Sequence, residues 1–135
     1  MSRRPRESVN NLVELSPEVQ AIADSLETEI STRDLIILAS IDQITQTGPV
    51  DFNSGTVCDL LNLKHPMINY YFGSRDGLIV EATMWAFRGW SHKVMTAARN
   101  APKNPEKRLR AYLDASLEWA KNMQAMTVLS QYPVL

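Results

Sequence analysis

One cysteine, Cys58, stands in 135 residues, so an internal disulfide framework is excluded and a reducing compartment is implied. No run approaches the roughly 18 to 20 apolar residues of a membrane span. The basic start Met1-Ser2-Arg3-Arg4-Pro5-Arg6 has no apolar stretch behind it of the kind a secretion signal needs. From these absences a cytoplasmic protein that does not enter a membrane is expected. There is also no excess of charge: 14 Lys and Arg stand against 15 Asp and Glu. No Gly-rich phosphate loop is present, and His65, His92 and Cys58 have no partner at metal-ligand spacing on one helical face. The sequence therefore predicts no catalytic residue, no metal site and no cofactor.

What is present is helical. The length suits one core that buries roughly two-thirds of the unfolded surface. Residues 1–16 read as a polar tail, and Arg3, Arg4 and Arg6 are expected in a flexible segment rather than in a DNA minor-groove arm. Ser16-Pro17-Glu18 opens a helix over about 17–29 with Val19, Ile22, Ala23 and Leu26 at helical spacing. Its acidic residues Glu18, Asp24, Glu27 and Glu29 are expected to face water. Ser31 and Asp34 have the spacing of a capping box, and the helix they start carries Ile37, Leu38, Ile41 and Ile44 on one face before Gly48-Pro49 stops it. Asn53 caps a helix of about two turns, with Val57, Cys58 and Leu61 turned inward. Asn62-Leu63-Lys64 is a tight connection, because Asn tolerates the left-handed backbone.

A short helix follows from His65, with Pro66 in its first turn and Gly73 at its end. Ser74 caps a long helix over about 75–99, and Asn104-Pro105-Glu106 opens a last one that runs to about Ser130. Strand patterns are nearly absent. The fold class is all-α.

Two short helices joined by a turn of about four residues, with a longer helix before them, make a three-helix, homeodomain-like helix-turn-helix. Such proteins lay the second short helix in the DNA major groove. The helical period turns Ile68 and Phe72 inward with Met67 and Tyr71 flanking, leaving His65, Pro66 and Asn69 toward the groove and Met67 and Tyr70 as further candidates at its edge. An Asn side chain pairs with adenine, and Met67 or Pro66 suits a thymine methyl.

These residues resemble the tetracycline-repressor (TetR) family of transcriptional regulators. The first helix has the family's order of Arg33, Ile36-Ile37, Ala39-Ser40, Ile41, Ile44 and Gly48. The second has Val57-Cys58 and Leu61-Asn62-Leu63 at the family's spacing. The most specific stretch runs from Ile68 to Leu78, Ile-Asn-Tyr-Tyr-Phe-Gly-Ser-Arg-Asp-Gly-Leu, with Arg75 and Asp76 where Lys and Glu are commoner. The resemblance is close over residues 32–80. Lys64 departs from it by standing where a capping Ser or Thr is usual, Asn62 by replacing a turn Gly, and Leu61 by replacing a small residue.

The resemblance implies a ligand-responsive repressor that binds a palindromic operator in double-stranded DNA as a homodimer. It implies phosphate contacts from Arg33, Asn53, Ser54, Lys64, Tyr70 and Arg75, and base contacts from His65, Pro66, Met67 and Asn69. Three regions follow: an N-terminal extension over 1–30, partly disordered; a DNA-binding unit over 31–76; and an effector and dimerisation unit over 77–135. Family members continue through further helices, so this last unit is expected to be partial, with apolar residues of the last two helices left exposed. The family places a small-molecule pocket there, which makes Trp85, Trp90, Tyr112, Ser116, Trp119 and Met123 candidates to line a site for an apolar or amphipathic effector. The same residues, with Met126, lie at spacings that suit helix packing.

Charge argues the other way. Counterion release by Lys and Arg dominates protein–DNA affinity, yet residues 31–75 carry three basic and four acidic groups. Helix N-termini at Asn53 and His65 supply oriented amides without formal charge, and a dimer doubles every contact. The expected result is modest, strongly salt-dependent affinity. A helical protein–protein interaction module that has lost DNA binding is the competing reading.

Overall fold

The computed structural model describes residues 3–4 and 14–123 of the chain. Among the described residues six helices follow one another: α1 (Pro17–Asp24), α2 (Thr32–Thr47), α3 (Ser54–Leu60), α4 (Pro66–Phe72), α5 (Arg75–Asn100) and α6 (Pro105–Asn122). A two-residue strand β1 (Arg3–Arg4) pairs antiparallel with β2 (Ile30–Ser31), and the architecture is all-α apart from this bridge. Of the tail expected over residues 1–16, Arg3 and Arg4 stand in this bridge rather than in a flexible segment and residues 14–16 lead into α1, while Arg6 lies outside the described residues, as do Met126 and Ser130.

Local hydrogen bonding sets most helix ends. Ser31 Oγ accepts from the Asp34 amide and Asp34 Oδ2 accepts from the Ser31 amide, each at 3.1 Å, so both partners of the capping box are engaged. Asn53 Oδ1 accepts from Gly55 N–H at 2.9 Å, Ser74 Oγ from Gly77 N–H at 3.0 Å, and Asn104 Oδ1 from both Glu106 and Lys107. Gly48 and Gly73 close α2 and α4 at φ of 82° and 79°, and Asn62 turns the chain at φ 56°. A Cβ is costly at such angles, whereas Gly has none and Asn bears it best.

Two helices are shorter than the periodicity predicts. α1 stops at Asp24 because Ser25 folds back, its Oγ donating to the Ile22 carbonyl at 2.6 Å. The chain must then extend so that Ile30 is buried and Ser31 caps α2. α6 stops at Asn122 rather than near Ser130. There Met123 leaves helical dihedrals, is fully buried, and sets its sulfur 3.8 Å from Thr45 Oγ1 of α2.

α2 is the central helix. Leu35, Ile36, Ile37, Leu38 and Ile41 are each no more than 1% exposed, so it is buried around most of its girth and not along a single stripe. The small residues Ala39 and Ser40 are buried within it, which permits close approach of its neighbours. α1, α3 and α5 pack on it, and α6 packs along α5. Ser16 N–H donates to Asp42 Oδ2 of α2 at 2.8 Å, tying the start of α1 to the central helix. Glu18, expected in water, accepts from Asn122 Nδ2 of α6 at 2.8 Å.

Candidate nucleic-acid interface

The candidate interface is built on α3, α4 and the turn between them. Val57, Cys58 and Leu61 are buried as their spacing predicts and anchor α3 on α2. Burial pushes the Cys58 thiol above its ordinary pKa, with the neighbouring Asp59 carboxylate adding to the effect, so it stays protonated and unreactive. On α4, Ile68 is buried while Tyr71 and Phe72 are partly buried against the core. At about 100° per residue, the exposed residues His65, Asn69, Pro66 and Tyr70 span one arc of about 140°. Met67, half-buried, borders it. Tyr70 is 76% exposed, and its ring meets Tyr71 edge-on with centroids 4.9 Å apart.

The cations assigned from sequence fall into two groups. Lys64 is exposed and has no polar partner among the described residues. The two arginines are held by the protein. Arg75 Nε donates to the Phe52 carbonyl at 3.0 Å and Nη2 to the Pro49 carbonyl at 2.6 Å, while its guanidinium lies 5.6 Å from the Phe52 ring centroid. It fastens the loop before α3 to the start of α5. Arg33 pairs with Glu81 of α5 at 3.3 Å and sits 5.1 Å from the Phe72 ring centroid, joining α2, α4 and α5. Both keep about a third of their side-chain surface in water, and that fraction is what each could still offer to a phosphate.

His65 is also positioned. Its Nε2 lies 2.9 Å from Asp59 Oδ1, an ion pair whenever the ring is protonated. The imidazole rests against Gly55, where an added Cβ would stand 3.0 Å from His65 Cε1. The contact clips the start of α4 to α3. The parts that Asp59, Glu81 and Gly55 play in holding these side chains do not follow from the sequence pattern. Their pattern signal is weak, because each acts on a residue from a different helix or turn. Asn53 is committed to its cap through Oδ1, and Ser54 is half-buried in the first turn of α3.

Of the six residues considered for an effector site, Trp119 lines a cleft, and the packing contacts of the others place them as follows. Trp90 Nε1 donates to Ser116 Oγ at 3.2 Å, and its ring lies 6.4 Å from Tyr112, edge to face. Trp85 packs half-buried on the core, and Met123 is fully buried. Trp119 is 4% exposed and lines a cleft between α1, α5 and α6. The expected apolar exposure is present on the described part of the last two helices. Met84, Phe87 and Met95 of α5 and Leu109, Leu113 and Leu117 of α6 all face water. No helix among the described residues is long and apolar enough to cross a membrane.

Comparison with known proteins gives a distant relative. The chain is 27% identical over 86 residues to the HTH-type transcriptional regulator BetI of Stenotrophomonas maltophilia (strain R551-3), a match covering 64% of this chain and 44% of that regulator. The match thus spans less than half of the relative's own length. No family model matches the chain, and no solved structure matches it significantly.

Proposed function

We propose that the chain is a DNA-binding transcriptional regulator, with α4 as the helix that enters the major groove. One observation carries this reading: the exposed arc of α4 presents His65, Pro66, Asn69 and Tyr70 on a helix whose opposite side is fixed by Ile68. The likeness to a protein named as an HTH-type transcriptional regulator supports it. Asn69 reads a base, Met67 and Pro66 supply apolar contact, and Lys64, Tyr70, the Ser54 region and the accessible edges of Arg33 and Arg75 meet phosphates. Because both arginines are largely engaged within the protein, Lys64 is the main uncommitted cation of this face, and affinity is modest and steeply salt-dependent.

The finer reading is a homodimer on an inverted repeat that a small molecule releases. A dimer joined through the exposed apolar side of α5 and α6 would set the spacing of two α4 helices, with α5 as the lever. An effector acts only through unequal affinity for the DNA-competent and DNA-incompetent states. Binding of a labelled duplex across a series of salt concentrations, with Asn69→Ala and Lys64→Ala beside the parent, tests the assignment. Asn69→Ala should lose about 1–3 kcal/mol of discrimination between sites. Lys64→Ala should weaken all duplexes alike and flatten the salt dependence. An Asn69→Ala protein with unchanged site preference refutes the base contact.

A second reading, a protein–protein interaction module on the same fold, is favoured by the Asp59 carboxylate exposed beside His65. That charge opposes phosphate when the ring is neutral. An electrophoretic shift against genomic fragments separates the two, since only a DNA-binding protein retards them.

A further inference from the structure

A cleft between α1, α5 and α6 reaches Trp119, and the spacing of the sequence does not single it out as a whole. Its volume is about 290 Å³, just under the roughly 300 to 1,000 Å³ that small-molecule sites occupy. The floor is Ile22 of α1, Gly89 of α5 and Trp119 of α6. Gly89 brings these together: a Cβ there would stand 2.7 Å from Ile22 Cγ1 and 3.0 Å from the Trp119 ring. Ile22 and Trp119 therefore pack directly against the bare α5 backbone and give the cleft an apolar wall.

The rim has a polarity. Glu18 stands on the α1 side, and one of its carboxylate oxygens already accepts from Asn122 Nδ2. His92 and Lys93 stand together on the α5 side. Lys93 keeps a single partner, Glu118 at 3.4 Å, and His92 is exposed with no polar partner among the described residues. Lys93, beyond its pair with Glu118, and an N–H of His92 can each donate to an incoming acceptor on the α5 side, away from the Glu18 carboxylate.

We infer that this cleft binds a small aromatic or alicyclic carboxylate, its apolar body on Trp119 and Ile22 and its anionic end at Lys93 and His92. The inference deepens the ligand-responsive reading by naming the site and class of its effector. It also moves the site to the seam beneath α1, away from the Trp90–Ser116–Tyr112 contact. α1 forms one wall and is bonded to α2 through Ser16 and Asp42, so an occupant that displaces α1 also strains its bond to the central helix.

The test uses the full chain, without DNA, and 2-naphthoate as the probe, followed by calorimetry and by NMR of the indole N–H and methyl groups. Saturable binding of one probe per chain is expected, with shifts at the Trp119 indole and at Ala21 and Thr96. Ala21→Phe, an exposed α1 position that overfills the mouth, should weaken it at least about tenfold by steric exclusion. Lys93→Gln should weaken it about threefold, the scale of an exposed charge pair. Comparison with 2-naphthylmethanol and 2-naphthylmethylammonium tests the charge preference. Absence of binding, tighter binding of the ammonium compound, or shifts confined to Leu109, Leu113 and Leu117 would each overturn the inference. Because the titration contains no DNA, failure of the regulator reading appears separately, as a protein that binds 2-naphthoate normally and retards no duplex.

Discussion

Gly77 sits in the first turn of α5, directly after the joint that carries α4. Its substitution by alanine sets two effects against each other. Helix propensity favours alanine by up to about 1 kcal/mol in a helix interior, and by less in a first turn. Geometry opposes it. A Cβ at Gly77 would overlap the Phe72 carbonyl oxygen, far inside the 3.0 Å that real Cβ atoms keep, and the obstacle is backbone rather than a movable side-chain end. Relief requires the end of α4 and the start of α5 to part, an overpacking cost of about 1–3 kcal/mol. The same movement strains the bond from Gly77 N–H to Ser74 Oγ, a cap worth about 1 kcal/mol. The net expectation for Gly77→Ala is a loss of about 1–2 kcal/mol. For a folded unit of this size that is a fall in Tm of roughly 4–8 °C, read by thermal unfolding followed by circular dichroism at 222 nm. Gly73→Ala is the comparison. Nothing lies within 4 Å of a Cβ there, so its cost is the positive φ of 79° alone. A Gly77→Ala protein that melts higher than the parent refutes the reasoning, because helix propensity would then outweigh a joint that is not closely packed.

Other substitutions probe separate parts of the account. Arg75→Met removes the donors to Pro49 and Phe52 while keeping much of the side-chain bulk; limited proteolysis should newly cut within residues 48–53, and uncut loops would contradict the clamp. Ser40→Ala removes a hydroxyl buried with no partner among the described residues, so stability should rise by about 1 kcal/mol in urea unfolding, whereas a loss of stability would mean the hydroxyl is satisfied. The Cys58 pKa is raised in the folded state, so its protonated thiol contributes stability that is fully present below its ordinary value of 9.0 and is lost as pH rises through the folded value. The stability difference between the parent and Cys58→Ala should be constant at neutral pH and shift against the parent above about pH 9; a constant difference to pH 10.5 would refute the burial argument.

The helix order and the exposed arc of α4 were legible in the sequence because both are set locally. Ser31 with Asp34, Asn53, Ser74 and Asn104 each bond amides within three residues, and Ile68 is fixed against Asn69 and Tyr70 by the helical period alone. The roles of Arg33 and Arg75 were legible only as positive charge. Which groups take that charge depends on Glu81, Phe72 and three loop carbonyls that lie 23 to 48 residues away in sequence. The same applies to α1: its end is decided by Ser25 folding back onto Ile22, and its docking by the bare backbone of Gly89. The aromatic residues of α5 and α6 gave a spacing equally suited to packing and to a pocket. In the structure Trp90 contacts both Tyr112 and Ser116, and Trp119 turns toward α1.

The central claim is that α4 reads a duplex. Selection of bound DNA from a random-sequence duplex pool by the full chain at low salt tests it most directly, since it depends on no assumed operator. The account predicts enrichment of a short common sequence, arranged as an inverted repeat, that is lost with Asn69→Ala and weakened evenly with Lys64→Ala. A pool that remains random after repeated rounds, under conditions where the protein is folded, would contradict it.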